Sequence, residues 1–551
     1  MENKLSQMLL PELKLNREKL EKRYPERDLK ESAKVTRLGP SPTGFIHLGN
    51  LYGAFVDERL AAQSDGIFYL RIEDTDDKRF VDGAVDAVID TLGYFDINFY
   101  EGVTKIGENG EYGPYYQSQR GEIYRVFAKE LLDRNLAYPC FMSEDEIAQI
   151  RERQLAEKRT PGIYGEYSKY RNITFEEAEE LIKKGMPYVI RLKSSGSYGE
   201  DAELITVDDA IRGKLTMPEN FQDAVILKSN GIPTYHFAHV VDDHLMRTTH
   251  VVRGEEWLST LPIHVELFEK LGFELPTYCH TAQLMKIDEN GNKRKLSKRK
   301  DPELSLDYYK EVGYHKEAVK EYLLTILNSN FEEWRIANPD TDWREFEFSM
   351  SKMSTSGTLF DINKLNDVSK EVLVKISGED LYPFLTGWAT DYREDMARIL
   401  QKNKEYVVNI LDLDRQGKKP RKDFISAGQI LDNISYFFDE CFKILESMPE
   451  EVPPEDVREI LERYKETYDE HDDQSQWFEK IRTIAGTLGY ALKPKDYKKN
   501  PDEYKGHVGH VSTVIRIALV GRSQSPDLWG IQQILGTEKV MNRIEGYLKK
   551  S

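Results

Sequence analysis

Cysteine is scarce: the 551 residues hold three, Cys140, Cys279 and Cys441, none in a Cys-x-x-Cys pair. That excludes a disulfide framework and a cysteine-rich zinc site, and it points to a reducing, cytoplasmic compartment. No run of eighteen apolar residues occurs, so no membrane span is expected. The first 33 residues are charged throughout, without the apolar stretch of a signal peptide or the acid-poor pattern of a transit peptide. A basic surplus is missing too. Lys and Arg number 77 against 96 Asp and Glu, a net charge of −19. This argues against a non-specific nucleic-acid coat, while a specific nucleic-acid enzyme stays open because the placement of cations decides that. Neither GxGxxG nor a Walker A motif is present, which leaves a dinucleotide fold and a P-loop unsupported.

What is present is a globular composition, 39% apolar and 31% charged, at a length that suggests about three to five domains. The cations cluster. Lys293, Arg294, Lys295, Lys298, Arg299 and Lys300 fall within eight residues. Smaller clusters are Lys418, Lys419, Arg421, Lys422 and Lys493, Lys495, Lys498, Lys499; alone, these two read most simply as solvated loops.

Residues 1–33 read as a charged helical extension. From Val35 a βα rhythm begins. Val35–Leu38 is a strand, GPSPTG at 39–44 a turn, and Leu48, Leu51, Tyr52, Phe55, Val56 and Leu60 mark a helix face by their three- and four-residue spacing. Ile67–Ile72 is a buried strand, and a second helix carries Val81, Ala84, Val85, Val88, Ile89 and Leu92, with Gly93 ending it. This is a parallel βαβ unit. The stretch from about 110 to 222 is mixed, with strand-like PYVIRLK and ELITVDD, and the βα rhythm resumes at 223. One α/β sheet interrupted by an inserted domain accounts for this simply. From about 305 the pattern is almost wholly helical.

Two segments carry chemistry. A Gly/Pro/Ser turn between a strand and a helix presents backbone N–H groups and the positive helix end to an anion. His47 at that helix start can donate to a phosphate oxygen, and Gly49 leaves room against the helix backbone. Alone, such a turn with one histidine is more often structural. About 250 residues later, Lys295-Leu-Ser-Lys-Arg299 supplies lysines on flexible stems that can follow charge developing on a leaving pyrophosphate; alone it is a basic loop.

Together, these segments resemble the HIGH and KMSKS signatures of class I aminoacyl-tRNA synthetases. RLGPSPTGFIHLGN, LRIEDTD, GPYYQSQR, YHFAHVVDDHLM, VVRGEEW and KLSKRK, in that order from about 35 to 305, look like the bacterial type of glutamyl-tRNA synthetase. Weaker matches at TLFDINKL and at 516–536 extend the likeness. It implies an α/β plus all-α fold: a Rossmann-like catalytic domain (34–113 and 223–304) with an inserted α+β acceptor-binding domain (114–222), a stem-contact domain (305–374) and a helical anticodon-binding region (375–551), after the 1–33 extension.

The resemblance also implies roles. His47, Gly49 and Lys298 would hold ATP, with Lys295 heading the same loop. Ser41 would lie beside the amino acid. A guanidinium fork suits a carboxylate, which favours Arg37 and Arg253 as glutamate ligands, with Glu73 accepting from the ammonium and Tyr235 supplying a hydroxyl. His239 stands where the family pattern has asparagine; its contact with glutamate is open, and its charge is expected to respond to pH. Magnesium with ATP is expected, and no zinc. The implied partners are glutamate, ATP and tRNA-Glu, for a monomer without membrane contact. A form that also charges tRNA-Gln and a non-catalytic tRNA-binding paralogue are the alternatives.

Overall fold

The computed structural model describes residues 4–42, 46–75 and 81–549. Thr43 and Gly44 of the first turn and Asp76 of RIEDTD lie outside them. The chain divides into two compact units: Met1–Tyr308 with Leu323–Asp361, and Tyr309–Tyr322 with Ile362–Ser551. No helix among the described residues is long and apolar enough to cross a membrane.

The first unit is α/β. Its strands are β1 (Val35–Leu38), β2 (Ile67–Leu70), β3 (Glu101–Thr104), β4 (Gly107–Asn109), β5 (Ala137–Cys140), β6 (Val189–Leu192), β7 (Leu204–Asp209), β8 (Gly213–Pro218), β9 (Val225–Leu227), β10 (His250–Gly254), β11 (Thr277–Thr281), β12 (Leu284–Ile287), β13 (Lys293–Lys295) and β14 (Thr358–Leu359). They form sheets in the orders β1-β2-β3-β4, β10-β11-β7-β8, β5-β6-β9 and β13-β12-β14. The single α/β sheet expected from the βα rhythm is therefore two sheets. β1 pairs in parallel with β2, and β10 with β11. The two meet where Thr249 N donates to Val35 O at 3.0 Å. Pairing also crosses residue 222: β7 lies parallel to β11, and β9 pairs with β6. Hydropathy reports which face of a strand is buried and says nothing of its neighbour.

The first helix forms as its spacing implies, over Leu48–Gln63, with Leu51, Tyr52, Phe55, Val56 and Leu60 buried. The second, Ala84–Tyr94, buries Ala84, Val88 and Leu92 and runs through Gly93. Val81, read as part of its face, lies before the helix and is exposed.

The first 33 residues are not one charged helix. They contain the short helices Lys4–Leu9 and Arg17–Arg23, and Leu20 and Tyr24 are fully buried. Tyr24 donates its hydroxyl to Gly113 O at 2.9 Å, and Arg27 forks onto Glu101. Glu21 accepts from Arg247 Nη2 at 2.9 Å and lies 2.9 Å from His244 Nε2. These partners of Arg27 and Glu21 lie 74 or more residues away along the chain.

The second unit is all helical among the described residues of 362–549. Its core includes Tyr436, Phe437 and Phe438.

One helix ties the first unit's motifs together. Tyr235–Leu245 carries two adjacent buried acids, Asp242 and Asp243. Asp242 accepts from Arg120 Nε at 2.6 Å, Gln117 Nε2 at 2.9 Å and Tyr124 OH at 2.8 Å. It thus joins GPYYQSQR to YHFAHVVDD. Removing one partner of a buried pair strands the other charge. Asp242→Ala is expected to cost about 3–5 kcal/mol in urea unfolding; a loss under about 1 kcal/mol would show that Arg120 finds other acceptors.

Candidate active site

A cavity of about 480 Å³ opens at the carboxyl ends of β1 and β10, against the first turns of helix Leu48–Gln63 and the 295–298 loop. Ligand sites in parallel α/β sheets sit at such strand ends. Arg37, Glu73, Tyr235 and Arg253 line one part, and His47, Gly49, Lys295 and Lys298 another. Two of the sequence-derived candidates are absent from the lining. Ser41 is exposed. His239 is fully buried, with Nε2 2.9 Å from Tyr278 OH and Nδ1 2.8 Å from Asp243 Oδ2.

Asp243 organises the amino-acid side. Arg37 Nε donates to it at 3.2 Å and Arg71 Nη1 at 2.5 Å. Burial alone would raise this carboxyl; Arg37 and Arg71 overcome that and hold it well below the usual range. Arg71, fully buried, also donates to Glu73 Oε1 at 3.0 Å. Glu73 can lie there because residue 39 is glycine: a Cβ at Gly39 would run into its Oε1. Burial pushes the Glu73 carboxyl up, against the pull of Arg71 and Arg37. Asp57, also lining the cavity, is raised well above the ordinary value by burial, and its Oδ1 has no hydrogen-bond partner among the described residues.

Arg253 is held differently. Its Nε donates to His280 Nε2 at 2.9 Å and its Nη1 to His264 Nδ1 at 3.1 Å. Nη2 is buried and makes no well-aligned hydrogen bond among the described residues.

Across the cavity, His47 stands at the N-cap of its helix. Burial lowers its pKa, and Lys298 and Lys295 add to that against Glu256, which favours the neutral ring, a form that keeps an N–H to donate. The loop opposite divides its cations. Arg294 forks onto Asp301 at 2.6 and 2.7 Å, Lys286 pairs with Glu303, and Ser297 N donates to Asp301. Lys295 and Lys298 make no ion pair among the described residues and face the cavity. A neutral donor opposite two uncommitted ammonium groups suits a polyphosphate.

Sequence reading left Asp243, Arg71, Asp57, His264 and His280 without roles. A signal existed for some. Two adjacent acids inside apolar VVDDHL, and an arginine inside IFYLRI, are charges that burial forces to find partners.

His239 does not behave as an exposed imidazole. Burial lowers it to about 4, although Asp243 pulls it up. His236 and His250 are likewise lowered to about 4 by burial. The unfolded chain takes up these protons near pH 6.5 and the folded chain only near 4, so the unfolded state binds more protons in between. Stability is therefore expected to fall as pH drops from about 6.5 to about 4, by roughly 1 kcal/mol per pH unit for each histidine. Urea melts across that window check this. His239→Asn should flatten the slope, and an unchanged slope would mean His239 protonates while folded.

The family tRNA synthetases class I (E and Q), catalytic domain, matches residues 34–367, and an anticodon binding domain matches residues 497–548. The glutamate–tRNA ligase of Acetivibrio thermocellus is 62% identical over 525 residues, 95% of each chain. That of Clostridium perfringens strain SM101 is 49% identical over 549 residues, 99% of each. The crystal structure of a glutamate tRNA ligase from Elizabethkingia meningosepticum, in complex with its amino acid, superposes with a TM-score of 0.74 at 26% identity, covering 94% of this chain and 99% of that one. With arginines and an acid at one end of the cavity, a histidine and two lysines at the other, and a family match across both, the chain belongs to the class I tRNA synthetases (E and Q).

Proposed function

We propose that the chain is a glutamate–tRNA ligase, which activates glutamate with ATP and transfers it to the 3′-terminal adenosine of tRNA-Glu, releasing AMP and pyrophosphate. The observation that carries this is one cavity with Arg37, Arg253 and Glu73 at one part and His47, Lys295 and Lys298 at another. A dicarboxylate with one ammonium fits the first set, and a triphosphate the second. His47 donates to the α-phosphate, and the helix backbone at Gly49 lies along the nucleoside. Lys298, with Lys295, neutralises the departing pyrophosphate. Arg37 and Arg253 take the two carboxylates, Glu73 the ammonium, and Tyr235 offers a hydroxyl. Ser41, in the turn after β1, lies beside the amino acid, and His239 acts through Asp243.

The glutamate α-carboxylate attacks the α-phosphorus, the bond to the β-phosphate breaks, and pyrophosphate leaves. The 2′-hydroxyl of the terminal adenosine then attacks the acyl carbon of the adenylate and AMP leaves. Neither step needs a covalent enzyme intermediate; positioning and charge stabilisation do the work. Among the described residues no group of three or more His, Cys, Asp or Glu gathers to hold a metal ion. Magnesium enters with ATP as part of the nucleotide substrate. A site built of paired and unpaired charges rejects uncharged analogues strongly, so no editing step is invoked. The 114–222 region grips the acceptor end, 305–374 the inner stem, and the helices of 375–551 read the anticodon of tRNA-Glu. We place the enzyme in the cytoplasm as a monomer.

The experiment is charging of purified tRNA-Glu and tRNA-Gln with labelled glutamate, with glutamine as control. Charging of tRNA-Glu alone is expected. Charging of both would identify a non-discriminating ligase, and charging of neither would overturn the proposal in favour of a tRNA-binding paralogue. In the same assay under single-turnover conditions, Lys298→Ala should slow adenylate formation about 100- to 1,000-fold; an unaltered rate removes its role.

A further inference from the structure

We propose, resting on the function just given, that His264 and His280 are positioning residues: neutral acceptors that aim Arg253 at a substrate carboxylate without cancelling its charge. Three observations carry this. Two of the three nitrogens of the guanidinium are committed, Nε to His280 Nε2 at 2.9 Å and Nη1 to His264 Nδ1 at 3.1 Å. The third, Nη2, on a side chain that lines the cavity, is buried and makes no well-aligned hydrogen bond among the described residues, although the Tyr235 hydroxyl lies near the guanidinium. The ring of Tyr278 lies 4.6 Å from the guanidinium carbon and closes off one face. The group is held from behind and presents one nitrogen forward.

The tautomers follow from the donors. A ring nitrogen that accepts from a guanidinium carries no proton. The proton of His280 is therefore on Nδ1, directed at Asp209 Oδ2 at 2.7 Å. Asp209 also accepts from Ile211 N and Arg212 N, which keeps it ionised and fixed. The proton of His264 is on Nε2, directed at His236 Nδ1 at 3.0 Å. The groups facing His264 are His236, His239 and Arg253, with Asp243 beyond. Those facing His280 are Asp209, Arg253 and Arg212. Burial opposes a second proton on either ring.

The contrast with Arg71 gives the arrangement its meaning. Arg71 is clamped between Asp243 and Glu73, so its charge is compensated within the protein. Arg253 is clamped as firmly by groups that carry no charge, so its positive charge stays available to a ligand. An acid in place of either histidine would supply the same hydrogen bond and remove that charge.

The test uses acceptors of equal size and different charge. His264→Asn puts a neutral oxygen where Nδ1 accepts; His264→Asp puts an anion there. The expected result is a KM for glutamate near wild type in the Asn variant and raised about 10- to 100-fold in the Asp variant, as loss of a charge-assisted contact does. In both, kcat and the KM for ATP should stay within about threefold of wild type, a change equivalent to less than about 1 kcal/mol. His280→Gln and His280→Glu repeat the comparison at the other acceptor if the first pair fails to fold. A purely structural role would move Asn and Asp variants together. Equal KM values for glutamate in the two, or a loss confined to kcat or to ATP, would overturn the positioning role while wild-type charging leaves the proposed activity intact. A wild-type enzyme that charges no tRNA would overturn the proposed activity, and this inference with it.

Discussion

The carboxylate of Asp243 is the buried anion on which the amino-acid half of the cavity depends. It has no exposure of its own, yet it fixes Arg71, from the strand-end segment after β2, at Oδ1 and Arg37, from β1, at Oδ2, where His239 also lies. These residues are brought together from positions up to 206 apart in the chain. Each would be too costly to bury alone. Together they make a cluster in which an acid is stabilised in its charged form and two arginines hold fixed directions. Asp242, one residue earlier and about 100° round the helix, does the same for Gln117 and Arg120. A single helical turn thus joins three sequence motifs, and the βα framework brings the turn to them.

Much of this was legible in the sequence. The alternation of strand and helix from Val35 onwards and the helical second unit follow from periodicity, and the cavity-lining His47, Gly49, Lys298, Arg37, Glu73, Tyr235 and Arg253 from the family resemblance. What was not legible depends on long-range pairing. β1 and β10 lie in separate sheets that meet at one edge, because an apolar strand carries no mark of its neighbour. The N-terminal segment reads as a charged helical extension, since Glu21 and Arg27 have partners far along the chain. His239 looks like a titrating ligand, since nothing in YHFAHVVDD states that its ring faces inward to Asp243 and Tyr278. Asp243 itself was visible in the motif and unassigned, because its role appears only when its partners do.

The same physics separates charges that hold the fold from charges that meet substrate. In the 286–301 loop, Arg294 and Lys286 are compensated by Asp301 and Glu303, which fixes the backbone at Ser297. Lys295 and Lys298 are left uncompensated on the cavity side. In the pocket, Arg71 is compensated by Asp243 and also donates to Glu73, while Arg253 is held by neutral imidazoles. Glu73 and Asp57 are buried acids whose ionisation the surroundings disfavour. A cation arriving beside Glu73 removes part of that penalty, so ligand binding and ionisation reinforce one another.

This division also resolves the apparent conflict between a net charge of −19 and substrates that are all anionic. Coulomb interactions with a bound ligand are strongest over a few ångströms in a water-poor cavity; the surface acids are screened within about 8–10 Å in physiological salt. What the ligand meets is the local remainder after internal pairing. That remainder is positive at Lys295, Lys298 and Arg253, with Glu73 the acid beside them. The excess of acids elsewhere keeps loosely bound polyanions off the surface, so attraction is concentrated where the geometry can use it.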